Sequence, residues 1–185
     1  ACDCDGTLPT QCWDGSTTCN NDCPAYFNVE IAETGESTLF IFQDSIEGLD
    51  AGDELGIYDA NGMLDSTGAM GEILVGTGVW TGSQLEIVGI QAVDLSQFGG
   101  PILPGANEGN SMSLKVFKLS DQMTYDVNYG IGSGTGTFNG LFTAIESIEF
   151  APEYTVVINE FFFRANEDVP DYVELFNYGM EDVDL

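Results

Sequence analysis

The sequence predicts an all-β protein: an antiparallel β-sandwich, jelly-roll or immunoglobulin-like, with an irregular disulfide-rich N-terminal cap and a C-terminal β-ribbon. Three observations predict it. The 23 glycines suit a chain with many tight turns better than one built from helices. Apolar residues recur in short runs of strand length, several of them alternating with polar ones. Turn signals separate those runs at the spacing of a sandwich or barrel: Asn61-Gly62, Gly99-Gly100-Pro101, Pro104-Gly105 and the glycine-rich 130–136. Only Ala92–Gln97 offers even a turn of helix.

Residues 1–25 form the expected cap. It holds all five cysteines, Cys2, Cys4, Cys12, Cys19 and Cys23, among Asp, Asn and Gly residues. Too few apolar side chains are present to fold it by burial, so disulfides are expected to staple it. Zinc is the competing reading, but the spacing lacks a Cys-x-x-Cys pair and the chain has no histidine. Five is odd, so one thiol is free or bonded to another molecule, and Cys2 or Cys4 is the expected one. The start at Ala1, with cysteines directly after it, suits the mature end left by signal cleavage.

Residues 26–150 carry the strand pattern. Phe27, Val29 and Ile31 alternate with polar neighbours and read as a half-buried strand. Leu39–Phe42 is apolar on both faces and reads as a central strand covered on two sides. Further strands are expected at Leu55–Tyr58, Ile73–Trp80, Leu85–Ile90, Met112–Leu119, Met123–Val127 and Phe138–Phe150. The predicted core contains Phe40, Phe42, Ile57, Val75, Val79, Ile87, Val88, Leu114 and Val116.

Residues 151–185 restart the pattern after Pro152. Tyr154–Phe163 reads as a strand and Tyr172–Phe176 as its partner. Two strands do not make a stable domain by themselves. Val157, Phe161, Phe162, Phe163, Tyr172 and Phe176 are therefore expected to be buried by another subunit or by the main domain, and they are the candidate assembly residues.

Two resemblances rest on quoted residues. Gly52–Asp59, then Leu74–Trp80, Leu103-Pro104-Gly105 and Lys115-Val116-Phe117, resemble a β-module repeated in large exported proteins of marine and Bacteroidota-like bacteria. Many of those are cargo of the type IX secretion pathway, and the resemblance implies location more than activity. Val157–Glu160, Asp171–Asn177 and Val183–Leu185 resemble the opening strands of a lamin-tail domain, whose fold is immunoglobulin-like. The cysteine segment is similar to the Asp/Cys/Gly-rich spacers of the same exported proteins.

Charge bounds the function. Lys+Arg 3 against Asp+Glu 31 gives 3 − 31 = −28. Phosphate binding needs clustered cations, so nucleic acid is excluded, and anionic membranes repel such a chain. The longest apolar runs are strand-sized, so membrane insertion is not expected. Such acidity suits a surface solvated in saline water or specific Ca²⁺ sites. The candidate ligands are Asp3 and Asp5, Asp22, the acidic loop with Asp44, Asp50 and Asp53, and Asp59 with Asn61. Asp59–Gly62 reads more simply as a hairpin turn, because Asn-Gly favours positive φ.

Catalytic motifs are missing from the sequence. No nucleophile elbow, P-loop or dinucleotide fingerprint appears, and no histidine is present to activate a thiol or hydroxyl. Asp53, Glu54 and Asp59 near Trp80 are the nearest approach to a glycosidase pair. Lys115 and Lys118 lie three apart on one strand, so one points inward, as an ion pair or a crosslinking lysine. Trp13 and Trp80 read as core or cap residues, or as a sugar platform. The expected function is a non-catalytic, secreted structural or adhesive protein of the cell surface. Its expected partners are copies of itself or other cell-surface proteins. The alternatives are a carbohydrate-binding module of a secreted enzyme and a carboxylate-dependent hydrolase.

Overall fold

In a computed structural model the chain divides into two compact units, Ala1–Ala151 and Pro152–Leu185. The structure describes residues 10–19, 23–150, 156–162 and 172–177. Cys2, Cys4, Asp3, Asp5, Asp22 and Phe163 lie outside them. The first unit contains β1 (Thr10–Gln11), β2 (Thr17–Thr18), β3 (Ser37–Phe42), β4 (Glu54–Met63), β5 (Met70–Val79) and β6 (Leu85–Ile90). It continues with β7 (Val93–Asp94), β8 (Ile102–Leu103), β9 (Met112–Lys118), β10 (Met123–Ser133) and β11 (Phe142–Phe150). The second holds β12 (Val156–Phe162) and β13 (Tyr172–Asn177). No α-helix occurs among the described residues, and the expected helical turn is a 3-10 turn at Ser96–Phe98.

Seven strands form one sheet in the order β5-β4-β9-β10-β11-β3-β6. All neighbours are antiparallel except β11 and β3, which run parallel with Phe142 opposite Leu39 and Ile145 opposite Phe42. The fold is therefore all-β, but it is one continuous mixed sheet and not two antiparallel sheets face to face. Twist explains the difference. A long twisted sheet curls until its edges meet, and here the irregularities within β4–β5 and β10–β11 leave all seven strands in one sheet.

The edges meet at β5 and β6. Gly76 of β5 lies where an added Cβ would stand 2.6 Å from the Val88 carbonyl oxygen and 3.0 Å from Ile87 Cγ2. Gly78 is similarly crowded by Ile87 and Leu85. The two glycines let β6 come within backbone distance of β5, which brings the sheet close to a closed barrel.

Alternation then sorts each strand. Phe40 and Phe42 of β3, Leu55 and Ile57 of β4, Val75 of β5 and Ile87 of β6 face inward and are buried. Leu114 and Val116 of β9 join them, with Trp80, Phe138 and Ile145. Val79 and Val88, expected in the core, face outward and are exposed. Val88 differs in parity from Ile87 of its own strand, so it points to the other face. Val79 has the parity of Val75, but the register shifts at Val75, where Ile57 pairs with Gly76 and Tyr58 with Leu74, and Val79 pairs with the outward Glu54. The outer residues Leu39 and Ile41 of β3 are only half-buried, so this central strand is covered fully on one side alone.

Three further expectations are corrected. Residues 27–31 form no strand, because the Tyr26 and Phe27 N–H groups donate to the Glu54 carboxylate instead of to a ladder. Asn61-Gly62 is not the hairpin turn but part of β4, at an irregularity between Asp59 and Gly62. The turn comes later, closed by Leu64 N–H to Ala69 O at 2.8 Å, with Asp65 Oδ1 accepting from the Thr67 N–H at 2.7 Å. The first glycines of 130–136 continue β10 up to Ser133.

Gly76→Ala is expected to lose about 1–3 kcal/mol of stability, because the added methyl meets backbone that has no room to retreat. Urea denaturation of the two proteins checks this.

Candidate functional site

One strand organises the first unit. Asp53, Leu55, Ile57 and Asp59 share the inner parity of β4, so the apolar pair is bracketed by a buried carboxylate at each end. These ends lie roughly 20 Å apart at strand rise. Glu54, of opposite parity, faces out.

Asp53 is 0% exposed. Its Oδ1 accepts the Leu119 N–H at 3.0 Å, and its Oδ2 accepts the Asp50 N–H at 2.9 Å and Lys118 Nζ at 2.8 Å. Lys118 also reaches Asp50 Oδ2 at 3.1 Å and the Gly48 carbonyl at 2.9 Å, and it lies 5.5 Å from the Phe150 ring. Its pKa is raised: burial works against the charge, and the Asp53 and Asp50 carboxylates outweigh it. At the other end Asp59 is held by neutral donors. It accepts the Asn61 N–H at 2.9 Å, the Asn107 N–H at 2.8 Å and Asn110 Nδ2 at 2.9 Å.

This geometry places the described calcium candidates. Asp50 and Asp53 are brought together, with the Lys118 ammonium between them where a cation would sit. The Asp59 carboxylate is committed to N–H donors, and the Asn61 carbonyl accepts from Asn107 Nδ2 at 2.8 Å. Asp44 is exposed and apart. Among the described residues no three His, Cys, Asp or Glu side chains are grouped to hold a metal ion. Asp53 and Glu54 point to opposite faces of β4, so the acids nearest Trp80 do not flank a common cleft. Trp80 itself is buried in the core, away from any sugar platform.

Glu54 fastens the N-terminal segment. Its carboxylate accepts the Tyr26 N–H at 2.9 Å and the Phe27 N–H at 3.1 Å. The Tyr26 ring then stacks on Phe117 of β9, with centroids 4.2 Å apart and planes 6° from parallel. Trp13 meets Tyr26 edge-on at 5.1 Å and donates its indole N–H to Pro24 O at 2.8 Å. Cys12 and Cys23 are joined, and Cys19 is also disulfide-bonded. The segment thus straps the outer face of β4 and β9. Beside it, Lys115 lies 4.7 Å from the Tyr58 ring and pairs with Glu72 at 2.8 Å; that bond is the main reason its pKa is raised.

The described residues of the second unit form a two-stranded ribbon. β12 and β13 pair antiparallel, with Val157 opposite Phe176, Ile158 opposite Leu175, Phe161 opposite Val173 and Phe162 opposite Tyr172. Phe176 is exposed. The other side chains described here include Ile158, Val173 and Leu175, all exposed and all on one ribbon face by pairing and alternation. Val173 and Leu175 were missed as assembly candidates, although their period-2 pattern marks them.

No family, curated protein or solved structure matches the chain. Among the described residues no helix is long and apolar enough to cross a membrane.

Two outcomes follow from these contacts. Asp53→Asn is expected to cost about 3 kcal/mol, since it strips the carboxylate from a paired, half-enclosed lysine. Lys118 carries a raised pKa, so its contribution is complete below its ordinary value of 10.5 and is lost as pH climbs through the folded value. Tyr58 and Tyr129, raised by burial, act in the same direction, so Lys118→Met should flatten only part of the alkaline fall in melting temperature.

Cys12→Ser/Cys23→Ser should lose about 3 kcal/mol by the chain-entropy estimate for a loop of this length. Trp13 emission, freed from Tyr26 and Pro24, should shift to the red. An unmoved spectrum would show that Glu54 and the aromatic contacts hold the strap without the disulfide.

Proposed function

We propose that this chain is a non-catalytic extracellular structural or adhesive subunit. It joins a cell-surface assembly through strand contacts made by its C-terminal ribbon. The observation that carries the reading is the ribbon: two strands exposing Ile158, Val173, Leu175 and Phe176 to solvent. A two-stranded ribbon is marginal in water, and exposed apolar strands invite pairing with another chain. Strand addition supplies main-chain hydrogen bonds for affinity and side-chain seats for specificity.

Three features support the location and the role. The disulfides suit an oxidising compartment outside the cytosol. The resemblance to exported β-modules and to the opening of a lamin-tail domain points to the same place. A net charge of −28 keeps separate copies soluble and makes their approach depend on salt or on divalent cations such as Ca²⁺.

Negative-stain microscopy of the full chain in saline should reveal ordered polymers. Protein lacking residues 152–185 should stay monomeric by sedimentation. Ordered polymers from the truncated protein would place the contacts elsewhere, and a full chain that stays monomeric at every salt concentration would end the reading.

A further inference from the structure

Outside the strap, the barrel shows a second apolar outer face. Phe142 of β11, Leu39 of β3 and Val88 of β6 lie side by side across three strands by register. Phe142 is 49% exposed and Val88 53%, with Leu39 half-buried between them. The next row places Ala144 beside Ile41 and Glu86. At its β6 end the face deepens into a cleft of about 340 Å³ lined by Val88, Ile90, Glu36 and Ser37. The comparable face on β4 and β9 is covered by Tyr26, Phe27 and Trp13, whereas among the described residues of this unit none covers the Phe142–Leu39–Val88 row.

We propose that this face receives the ribbon of a second copy, an inference that rests on the assembly reading above. The occupant is argued from the chain's own surfaces. Ile158, Val173 and Leu175 form one apolar ribbon face, 65%, 60% and 45% exposed. It is strand-built, as is the Phe142–Leu39–Val88 row, so the two pack as sheet on sheet with side chains interdigitating. Neither surface carries a charge at its centre; Glu86 and Glu36 stand at the rim of the row. A cationic partner would suit those rim carboxylates but would leave the ribbon bare, whereas a second copy covers both surfaces at once. Ribbon on row is a head-to-tail contact, so it propagates and does not close. The rim charges repel between copies, so association should strengthen with sodium chloride as the screening length falls towards about 8 Å at 0.15 M.

Complementation of full-length variants tests this. Threonine keeps strand propensity and removes apolar contact. A row variant (Phe142→Thr/Val88→Thr) and a ribbon variant (Val173→Thr/Leu175→Thr) are each followed by sedimentation velocity, with circular dichroism to confirm the unchanged sheet. Each alone should associate at least about tenfold more weakly than the parent chain, as loss of two buried apolar groups implies. Mixed, the two should form a discrete dimer, because the row variant keeps its ribbon and the ribbon variant keeps its row. If the parent associates and the ribbon variant does not, yet the row variant assembles normally, the docking face is wrong while the assembly reading stands. If the variants weaken but their mixture gives no dimer, head-to-tail docking is wrong. A parent chain that never associates overturns both.

Discussion

Burying a carboxylate is costly unless its oxygens are fully occupied by donors, and β4 does it at both ends of its inward face. Asp53 and Asp59 bracket Leu55 and Ile57, so the core is closed along this strand by charge held in place, not by more hydrocarbon. Each end solves the problem differently. Asp53 takes a lysine and two main-chain amides, which fixes the loop from Gly48 to Asp53 and the end of β9. Asp59 takes only neutral amide donors, which fixes the loop carrying Asn107 and Asn110 against β4. Glu54, one residue along, does the same on the outer face for the N-terminal strap. Asp53, directly before β4, and Glu54 and Asp59 within it thus anchor loops that a hydrophobic core alone does not position.

Cations are the scarce component. With three basic residues for thirty-one acids, each lysine has many available partners. Lys118 serves the buried acid, where low polarity makes a charge pair matter most, and Lys115 lies along the Tyr58 ring with Glu72. Among the described residues the carboxylates other than Asp53, Glu54 and Asp59 face water, where salt screens them cheaply. The same distribution makes any encounter between copies sensitive to ionic strength.

Apolar surface is distributed in a matching way. The inner face is closed by the near-meeting of β5 and β6, which depends on glycine at 76 and 78. One outer face is covered by Tyr26, Phe27 and Trp13, locked by Glu54 and the Cys12–Cys23 bond. The row on β11, β3 and β6 and the face of the ribbon stay exposed, and they are where a strand-built assembly has something to gain.

The class of fold, the strand positions from Leu39 to Phe117 and most of the residues predicted for the core were legible in the sequence, because period-2 alternation is set by local backbone geometry. So were the stapled cap and the ribbon, from cysteine density and the two short apolar runs. Barrel curvature, the parallel pairing of β3 with β11, and the outward turn of Val79 and Val88 were not, since they depend on which strands meet across long stretches of chain. The roles of the acids were hidden for the same reason. Asp53 and Asp59 look like any of thirty-one carboxylates until Lys118, Asn107 and Asn110, some fifty to sixty-five residues away, close around them. Composition determined that this protein would be acidic, all-β and stapled; only the tertiary structure decided which carboxylates are buried, because burial is settled by the donors that the fold brings to them.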